Sequence, residues 1–440
     1  MAGVLGATGR NLRQNARFRP KHLDIRRKNR TFVPNFQSNC KFVHAMNNNL
    51  VNRTLASFIS DVFRVLPVIT LTGPRQSGKT TLCREQFPNL PYVSLEDADT
   101  LAEVQTDPKA FFNRHPKGVI IDEAHHFPNV FSYIQVIVDE DRFHGTDQHH
   151  YIVTGSSNFT MMAKITQSMA GRTAVFSLLP LSTSEILSYQ PKASTSKMLL
   201  YGGFPAVWMA DNETLRHQLL SNYYTTYIER DMRALINVKD LQAFQTFIRL
   251  CASRVGQEFN ASAVSNEVGV AVNTIRSWLS ILAASYVVYL LHPYYTNIGK
   301  RLTKTPKLYF YDTGMAAFLL GITTEQQMDV HPLRGPLFEN MVINDMLKID
   351  LNRGNNMQQL FFYRDKSQRE VDVLRILPPN LVEAYEIKSA QTWNADFFAN
   401  LNYLRPLLKE RMLKTTVVYD GLQENPQPEN GIINFRHLQW

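Results

Sequence analysis

A glycine-rich segment between an apolar run and a prospective helix constrains this chain more than any other feature. The segment, residues 73–81, reads GPRQSGKTT and follows the apolar run at residues 68–71. Glycines let backbone N–H groups turn around an anion, a lysine reaches the β- and γ-phosphates, and a hydroxyl binds Mg²⁺. The positive end of the following helix attracts the same phosphates. The pattern therefore predicts a nucleotide-binding loop.

The residues of this loop form the predicted ATP site. Lys79 is expected to reach the phosphates, and Thr80 is expected to bind Mg²⁺ through its hydroxyl. The predicted nucleotide contacts are Gly73, Pro74, Arg75, Gln76, Ser77, Gly78, Lys79, Thr80 and Thr81. ATP and Mg²⁺ are therefore the predicted substrate and cofactor.

A second apolar run, residues 118–126, ends in two acids and reads GVIIDEAHH. Ligands of parallel sheets collect at the carboxyl ends of the strands, so Asp122 is predicted to hold Mg²⁺ there. Glu123 is predicted to be the base that orients and deprotonates the attacking water. Loop and acid-ended strand together predict hydrolysis of ATP as well as binding.

A third apolar run, residues 151–157, ends in small polar residues. Ser156 is predicted to place a hydroxyl between the γ-phosphate and the lytic water, although an ordinary strand-to-loop junction would have the same composition. Arg172 follows at a turn. It is either a finger that acts on the nucleotide of a neighbouring subunit, which implies a homo-oligomer, or an ordinary surface arginine.

The net charge of +9 comes entirely from the amino-terminal segment. Residues 1–45 contain ten Lys or Arg and one acid, Asp24, so the other 37 basic residues balance the other 37 acids. Charge therefore gives no nucleic-acid signal for the folded body. We interpret residues 1–45 as a basic disordered tail or an extension before a start at Met46; a transit peptide and a nucleic-acid arm are the alternatives.

Composition also restricts the class of protein. A hydrophobic content of 44% over 440 residues is ample for packed cores, and the length gives a prior of about three domains. Apolar runs fall well short of the roughly 18 residues of a membrane span, which predicts a cytoplasmic protein without membrane contact. Cys40, Cys83 and Cys251 are too few and too scattered for a disulfide framework or a zinc site.

Residues 260–284 carry the pattern of a helix-turn-helix unit. Gly269 is placed to make the turn, while Ser265, Ile275 and Leu279 have the spacing of the packing positions. The second helix would present three polar residues to base edges or phosphates, namely Asn273, Thr274 and Arg276. Residues 287–291 and 307–311 are predicted to pair as a hairpin, or wing, whose loop carries Lys300, Arg301 and Lys304. The unit either grips DNA or serves only for internal docking.

Two predicted strands in the C-terminal part carry a second chemical constellation. The first contains Asp372, and the second contains Glu386 and Lys388, which share a face because side chains alternate along a strand. Asp372 and Glu386 are predicted to bind Mg²⁺ while Lys388 positions water against a phosphodiester. Glu339, in the apolar-periodic segment 335–347, would complete the catalytic site. The alternative is a pair of chance patterns on solvated strand edges.

Taken in order, the motifs resemble the bacterial and archaeal AAA-type ATPases with a conserved C-terminal domain of unknown function. These motifs are GPRQSGKTT, DEAHH, TGSS, AGR, LPLS, GGFP, YIERD and KLYFYDTG. The resemblance spans roughly residues 46–390 and implies an ATPase module, a helical part with a winged helix, and a nuclease-like part. This last part is similar to the PD-(D/E)xK nucleases, including Holliday-junction resolvases. His125 and His126 depart from the family, which more often has Ala-Gln or similar residues there.

The predicted fold class is α/β, with an AAA-type P-loop NTPase parallel sheet, a helical and winged-helix middle, and a restriction-endonuclease-like α/β domain. The predicted boundaries are 1–45 for the tail, 46–185 for the ATPase domain, 186–325 for the middle and 326–440 for the nuclease-like domain. Two functions fit this organisation. One is an ATP-hydrolysing enzyme that acts on DNA, and the other is an ATP-driven switch that binds a protein partner and has a chemically silent C-terminal domain.

Overall fold

The computed structural model describes residues 50–146, 149–156, 164–165, 167–232, 240–294, 305–355 and 359–439. For residues 229–232 it describes the backbone only. The predicted tail, residues 1–45, and the predicted wing loop with Lys300, Arg301 and Lys304 lie outside the described residues.

A five-stranded parallel sheet carries the predicted phosphate loop. Its strands are β1 (Val68–Thr72), β2 (Tyr92–Ser94), β3 (Gly118–Asp122), β4 (His150–Thr154) and β5 (Thr173–Ser177). They lie in the order β2-β3-β4-β1-β5, and each neighbouring pair is parallel. Both β1 and β3 are buried throughout, which explains why they read as continuous apolar runs. All five carboxyl ends therefore lie at one edge of the sheet.

Helices cover both faces of this sheet. They are α1 (Leu55–Phe63), α2 (Lys79–Gln86), α3 (Ala98–Thr106), α4 (Pro108–Asn113) and α5 (Val130–His144). One core joins α1 and α2 to the sheet and contains Leu55 and Leu82; the other joins α3, α4 and α5 to it and contains Phe131. Apolar strands require this double cover, and the arrangement confirms the predicted P-loop NTPase sheet.

The middle of the chain is helical. It contains α6 (Thr183–Tyr189), α7 (Thr195–Tyr201), α8 (Pro205–Met209), α9 (Glu213–Tyr223), a π-helix (Tyr224–Met232), α10 (Leu241–Ser253), α11 (Ala261–Val268) and α12 (Val272–Ala284). Gly269 ends α11 in the left-handed conformation at φ +78°, which lets the chain turn at once into α12. Ile275 and Leu279 on α12 are buried, while Asn273 and Arg276 are exposed.

The predicted hairpin follows these two helices. Strands β6 (Val288–Leu291) and β7 (Lys307–Phe310) pair antiparallel, with Val288 opposite Phe310. The helix pair and this hairpin have the order expected of a winged unit, and the assignment as a winged helix stays a prediction.

The C-terminal part is a second, mixed sheet with helices. Its helices are α13 (Thr313–Leu319), α14 (Glu325–Val330), α15 (Arg334–Asn352) and α16 (Ala399–Leu408). Its strands are β8 (Leu360–Arg364), β9 (Glu370–Leu377), β10 (Leu381–Lys388), β11 (Met412–Tyr419) and β12 (Gly431–Asn434), in the order β12-β11-β10-β9-β8. The pairs from β8 to β10 are antiparallel, and those from β10 to β12 are parallel.

Alternate side chains of the mixed sheet face different helices. Tyr385 and Ile387 pack in the core that contains α15, whereas Ala384 packs with α16. Short 3₁₀ helices at Ala124–His126, Ala395–Phe398, Lys409–Arg411 and Phe435–His437 complete the described elements.

Helix α15 connects the mixed sheet to the ATPase side of the molecule. The Lys348 ammonium donates to the Leu181 carbonyl at 2.8 Å, and the Thr183 N–H donates to Asp345 at 3.1 Å. The core around α15 extends from Val51 to Leu438 without a break at residue 325. The predicted domain boundaries stay predictions, and the packing is continuous across the last of them.

Two of the motifs lock together by close backbone packing. Asp312 caps α13 and accepts hydrogen bonds from the N–H groups of Gly203 at 2.7 Å and Met315 at 3.0 Å. A Cβ atom on Gly314 would lie 2.5 Å from the backbone carbon of Tyr201. The GGFP and YDTG segments therefore have a structural role, which is to join α7 to α13.

Candidate functional site

The predicted phosphate loop turns sharply between β1 and α2. Gly73 has φ +137°, and a Cβ there would lie 2.3 Å from the Leu178 carbonyl oxygen. Gly78 has φ +92° and is the N-cap of α2. Only glycine has both the conformational freedom and the size for the first position, so the loop requires it.

Lys79 points into this loop. Its side chain is buried, and its Nζ donates to the carbonyls of Gly73 at 3.1 Å and Pro74 at 2.8 Å. Burial lowers the pKa of Lys79, and the nearby carboxylates of Glu123 and Asp122 act in the opposite direction. The ammonium is thus held inside the loop, where its hydrogen bonds can be exchanged for phosphate oxygens.

The other predicted nucleotide contacts surround Lys79. Ser77 is fully buried, and its hydroxyl makes no hydrogen bond to a described residue. The Arg75 guanidinium lies 5.5 Å from the ring centre of Tyr227 in the π-helix. Gln76 has φ +60°, and Thr81 is exposed on the first turn of α2. A buried, unsatisfied hydroxyl in a glycine-bounded loop fits a phosphate group.

Asp122 lies at the carboxyl end of β3 and gathers three hydroxyls. Thr80 Oγ1 donates to its Oδ2 at 2.7 Å, and Tyr92 donates to the same oxygen at 2.8 Å. The hydroxyl of Thr154, at the end of β4, donates to the other oxygen. Thr80 and Asp122 are therefore adjacent, as Mg²⁺ ligands from loop and strand must be, and this chemistry of oxygen donors fits Mg²⁺.

Glu123 follows Asp122 and lies beside a histidine. Its Oε2 is 3.0 Å from His125 Nδ1 and accepts from the Ser156 N–H at 3.4 Å. Burial on its own would raise the pKa of Glu123, but His125, Lys79 and the Ser156 N–H together lower the pKa to about 2. The structure thus brings Glu123 and Ser156 together, through the Ser156 backbone. The role predicted for its hydroxyl stays a prediction.

Arg172 lies at the other edge of the sheet. It immediately precedes β5, whose first residue pairs with Val68 at the start of β1. Its guanidinium binds Asp139 of α5 through Nε at 2.6 Å and Nη2 at 2.8 Å. This bidentate pair gives Arg172 a structural partner within its own chain, and its predicted role as a finger on another subunit stays a prediction.

The predicted C-terminal residues do come together. Lys388 Nζ lies 2.7 Å from Glu386 Oε2 and 3.7 Å from Asp372 Oδ2. The Ile387 N–H donates to Asp372 at 2.8 Å, and Asn400 of α16 donates to the other oxygen of Glu386 at 3.1 Å. Burial and the neighbouring Asp372 raise the pKa of Glu386 to about 8. The carboxylates and the lysine share one site, as the alternation along β10 predicts.

Glu339 approaches this site from α15, with partners that the sequence did not indicate. Its carboxylate accepts from Lys307 at 3.2 Å and from the Tyr309 hydroxyl, both on β7. Lys307 also binds Glu370 at 2.6 Å and is almost completely buried. Burial and Asp372 raise the pKa of Glu339 to about 7. The hairpin of the middle region therefore contributes a cation to the acidic cluster.

The carboxylates of this cluster are not arranged as a complete metal centre. In the described part of the chain, no three His, Cys, Asp or Glu side chains are placed to hold a metal ion. Asp372 and Glu386 would act as a pair of ligands, and Lys388 and Lys307 supply positive charge beside them. Metal binding at Asp372 and Glu386 stays a prediction.

Two residues that the sequence analysis did not assign to a site contact one from outside its motif: Tyr92 donates to Asp122, and Lys307 pairs with Glu339. His125 lies within the DEAHH motif, but its contact with Glu123 was not predicted. The alternation of KLYF on β7 was the one available signal, since it places Lys307 and Tyr309 on the same face.

Family comparisons agree with this geometry for the first sheet. Residues 66–187 match the family described as an AAA domain. The part of the chain that carries the parallel sheet is thus similar to an AAA domain. Residues 192–326 match a domain of unknown function (DUF8612), and residues 334–438 match another (DUF4143). The C-terminal part of this chain is thus similar to a domain of unknown function, as the motifs imply, and the winged-helix and nuclease-like assignments are not confirmed.

Relatives of similar length are themselves uncharacterised. An uncharacterised protein of Mycobacterium tuberculosis is 28% identical over 365 residues, which cover 82% of this chain and 78% of that protein. An uncharacterised protein of Methanocaldococcus jannaschii is 21% identical over 69% of this chain and 70% of its own length. These similarities extend beyond the AAA domain but name no activity.

Solved structures show weaker likenesses. A Walker-type ATPase of Pyrococcus abyssi is 11% identical, with 62% of this chain and 97% of that chain covered and a TM-score of 0.40. The Orc1 protein of Aeropyrum pernix in complex with DNA is 12% identical, with 62% and 91% covered and a TM-score of 0.27. At these scores the likenesses carry no argument.

None of the helices in the described ranges combines the length and apolar character of a membrane span.

Proposed function

We propose that this chain binds ATP with Mg²⁺ and hydrolyses it at the carboxyl edge of the parallel sheet. The observation that carries the proposal is the 2.7 Å contact between Thr80 and Asp122, beside the buried Lys79. A P-loop ATPase needs three groups in one place, namely a hydroxyl from the loop, a carboxylate from a strand and a lysine from the loop. The match of residues 66–187 to an AAA domain supports the same activity.

Each residue has a distinct role in this proposal. Lys79 binds the phosphates, while Thr80 and Asp122 hold Mg²⁺, which when bound neutralises charge on the phosphates. Glu123 is ionised at neutral pH because its pKa is about 2. An ionised carboxylate can accept a hydrogen bond from the attacking water, orient it and take its proton. Ser156 and Arg172 keep the sensing and finger roles predicted for them.

Two substitutions separate binding from hydrolysis. Lys79→Ala should weaken ATP binding strongly, because the loop loses its buried cation. Glu123→Gln should leave the Kd for ATP within about twofold and lower kcat by about 10²- to 10⁴-fold, since only the water-orienting charge is removed. The Kd is measured by titration with a fluorescent ATP analogue, and kcat by phosphate release.

Glu140→Gln on α5 is the matched control, because Glu140 is exposed in the same domain. It should leave both constants unchanged. A Glu123→Gln protein that hydrolyses ATP at the parent rate would show that Glu123 is not the water-orienting residue. A parent chain that binds ATP and never releases phosphate would contradict hydrolysis altogether.

Action on DNA is a second candidate function, favoured by the position of Lys388, which lies 3.7 Å from Asp372 and 2.7 Å from Glu386. Two carboxylates and a lysine can bind a divalent cation and position water at a phosphodiester. The exposed polar start of α12, with Asn273 and Arg276, is where a helix-turn-helix unit contacts DNA. The nuclease-like and winged-helix assignments belong to this second proposal.

Metal binding tests this candidate most directly. The full chain should bind Mn²⁺ at the C-terminal cluster in addition to any Mn²⁺ at the nucleotide site, and Glu386→Gln should remove the C-terminal binding alone. Cleavage is then measured on branched, duplex and single-stranded DNA with Mn²⁺ and ATP. If Glu386→Gln binds as many Mn²⁺ ions as the parent, the cluster is structural and the chain is better described as an ATP-driven switch with a protein partner.

A further inference from the structure

The turn that follows the predicted catalytic acid has an unusual backbone. Glu123 has φ +52° and ψ +43°, a left-handed conformation for a residue other than glycine. Such a conformation is strained for a residue with a side chain and persists only where the surrounding structure imposes it. The chain then enters the short 3₁₀ helix at Ala124–His126. This bend brings the side chain two positions later back beside Glu123.

His125 is the side chain brought back. Its Nδ1 lies 3.0 Å from Glu123 Oε2, and the side chains are only 14% and 20% exposed. The Ser156 N–H reaches the same oxygen at 3.4 Å from the end of β4. One oxygen of Glu123 therefore lies against two groups, the His125 ring of its own turn and the Ser156 N–H at the end of β4. A carboxylate fixed through one oxygen presents the other in a defined direction.

The position of His125 is itself restricted. The ring of His126 packs on it with centroids 4.2 Å apart and planes tilted by 34°. Neither histidine is part of the predicted site. The charged groups that act on His126 are His125, Glu123, Glu96 and Arg75, while Lys79 acts on Glu123 from the side of the phosphate loop. His125 thus lies between Glu123 and His126, and its ring nitrogen can orient the Glu123 carboxylate.

We propose that His125 is a positioning residue for ATP hydrolysis, which holds the Glu123 carboxylate in the orientation that aligns the attacking water. This inference rests on the proposed ATPase function. His125 lies against Glu123, so it would act through that carboxylate. Partners that orient a functional group in this way commonly contribute about 10- to 100-fold to activity.

The test is a kinetic comparison in the full chain. His125→Ala should lower kcat about 10-fold or more and leave the Kd for ATP within about twofold, because the phosphate loop is untouched. His125→Asn should recover most of kcat, since the asparagine amide can donate near the place of Nδ1. His126→Phe is the matched control; it keeps a packed ring on His125 and should leave kcat near the parent value.

A double substitution separates positioning from a general structural effect. In the Glu123→Gln background, His125→Ala should change kcat by no more than about twofold, because its target charge is already gone. Losses that multiply would overturn the proposal, as would a His125→Ala protein with parental or higher kcat. Equal losses in His125→Ala and His125→Asn would also overturn it. If the parent chain releases no phosphate, the proposed function fails first, and this inference falls with it.

Discussion

Among single residues, Arg53 shows how the phosphate loop is held from outside its own motif. Its guanidinium donates to the carbonyls of Ser77 at 2.6 Å and Leu179 at 2.7 Å and pairs with Glu185 at 3.3 Å. Glu185 in turn accepts from the N–H groups of Thr54 and Ser182. Both charged side chains are buried, so each depends on the other for its stability in the interior.

Loss of Arg53 should therefore destabilise the fold. Arg53→Met should lower the free energy of unfolding by about 3–5 kcal/mol, because Glu185 is left buried without its cation. Arg64→Met is the control, since the Arg64–Asp61 pair is largely exposed, and it should change the free energy by less than about 0.5 kcal/mol. Both are measured by denaturant unfolding. Equal effects of the two substitutions would contradict a structural role for the buried pair.

The sequence predicted those residues whose chemistry is contained in one motif. Lys79, Thr80, Asp122 and Glu123 could be placed because a short segment and the end of a strand fix their positions. Arg53 could not, because its three partners lie 24, 126 and 132 residues away along the chain. Only the folded structure brings such residues together, and no local pattern records it.

At the scale of elements, close glycine contacts join the helices of the middle to those of the C-terminal part. Gly314 lies in the first turn of α13, where its α-carbon approaches the end of α7. The nearest atoms to a Cβ at this position are backbone atoms of Tyr201 and Gly202, between 2.5 and 2.8 Å away. Backbone cannot move aside as a flexible side chain can. The contact between α7 and α13 therefore depends on the absence of a side chain.

A methyl group at this contact should separate the two helices. Gly314→Ala should lower the free energy of unfolding by about 1–3 kcal/mol through overpacking. Gly335→Ala in α15 is the control, because the nearest atom to its Cβ would be Ser389 Oγ at 3.9 Å, an ordinary contact. Thermal unfolding of both proteins checks the difference. A Gly314→Ala protein as stable as the control would show that the backbone adjusts freely here.

Elements with a clear period were predictable, and those defined by distant packing were not. The apolar runs of β1, β3 and β4 and the turn at Gly269 could be predicted from the sequence. The π-helix at Tyr224–Met232 was not, because YTTYIERDM has no local feature that distinguishes it from an α-helix. Its first turns pack against the middle core and against Arg75, and these contacts are long-range.

For the whole molecule, the shared core indicates that the middle and C-terminal parts depend on each other. Asn340 of α15 accepts from the Phe310 N–H at 2.8 Å and donates to the Phe310 carbonyl at 2.7 Å. Asn344 donates to the same carbonyl at 2.7 Å. The hairpin of the middle part thus has its last strand bound to a helix of the C-terminal part.

A fragment that ends at residue 330 should consequently lose stability. It lacks α15 and exposes the apolar surfaces of β6, β7 and α13. Its thermal midpoint should therefore be at least about 5 °C below that of the chain of residues 46–440. That longer chain, without the basic segment, should match the full chain in midpoint and ATP turnover. Calorimetry makes the comparison. Equal midpoints for the fragment and the longer chain would show that the residues up to 330 fold independently of α15 and the mixed sheet.

Helix α15 bears two unrelated contacts at a fixed separation. Glu339 meets Lys307 and Tyr309, and nine residues later Lys348 meets the Leu181 carbonyl. In an α-helix this spacing corresponds to about 13.5 Å along the axis. One inserted residue would turn the far end by about 100° relative to the near end. The number of residues between Glu339 and Lys348 therefore matters more than their identity. An insertion between them would break one contact or the other.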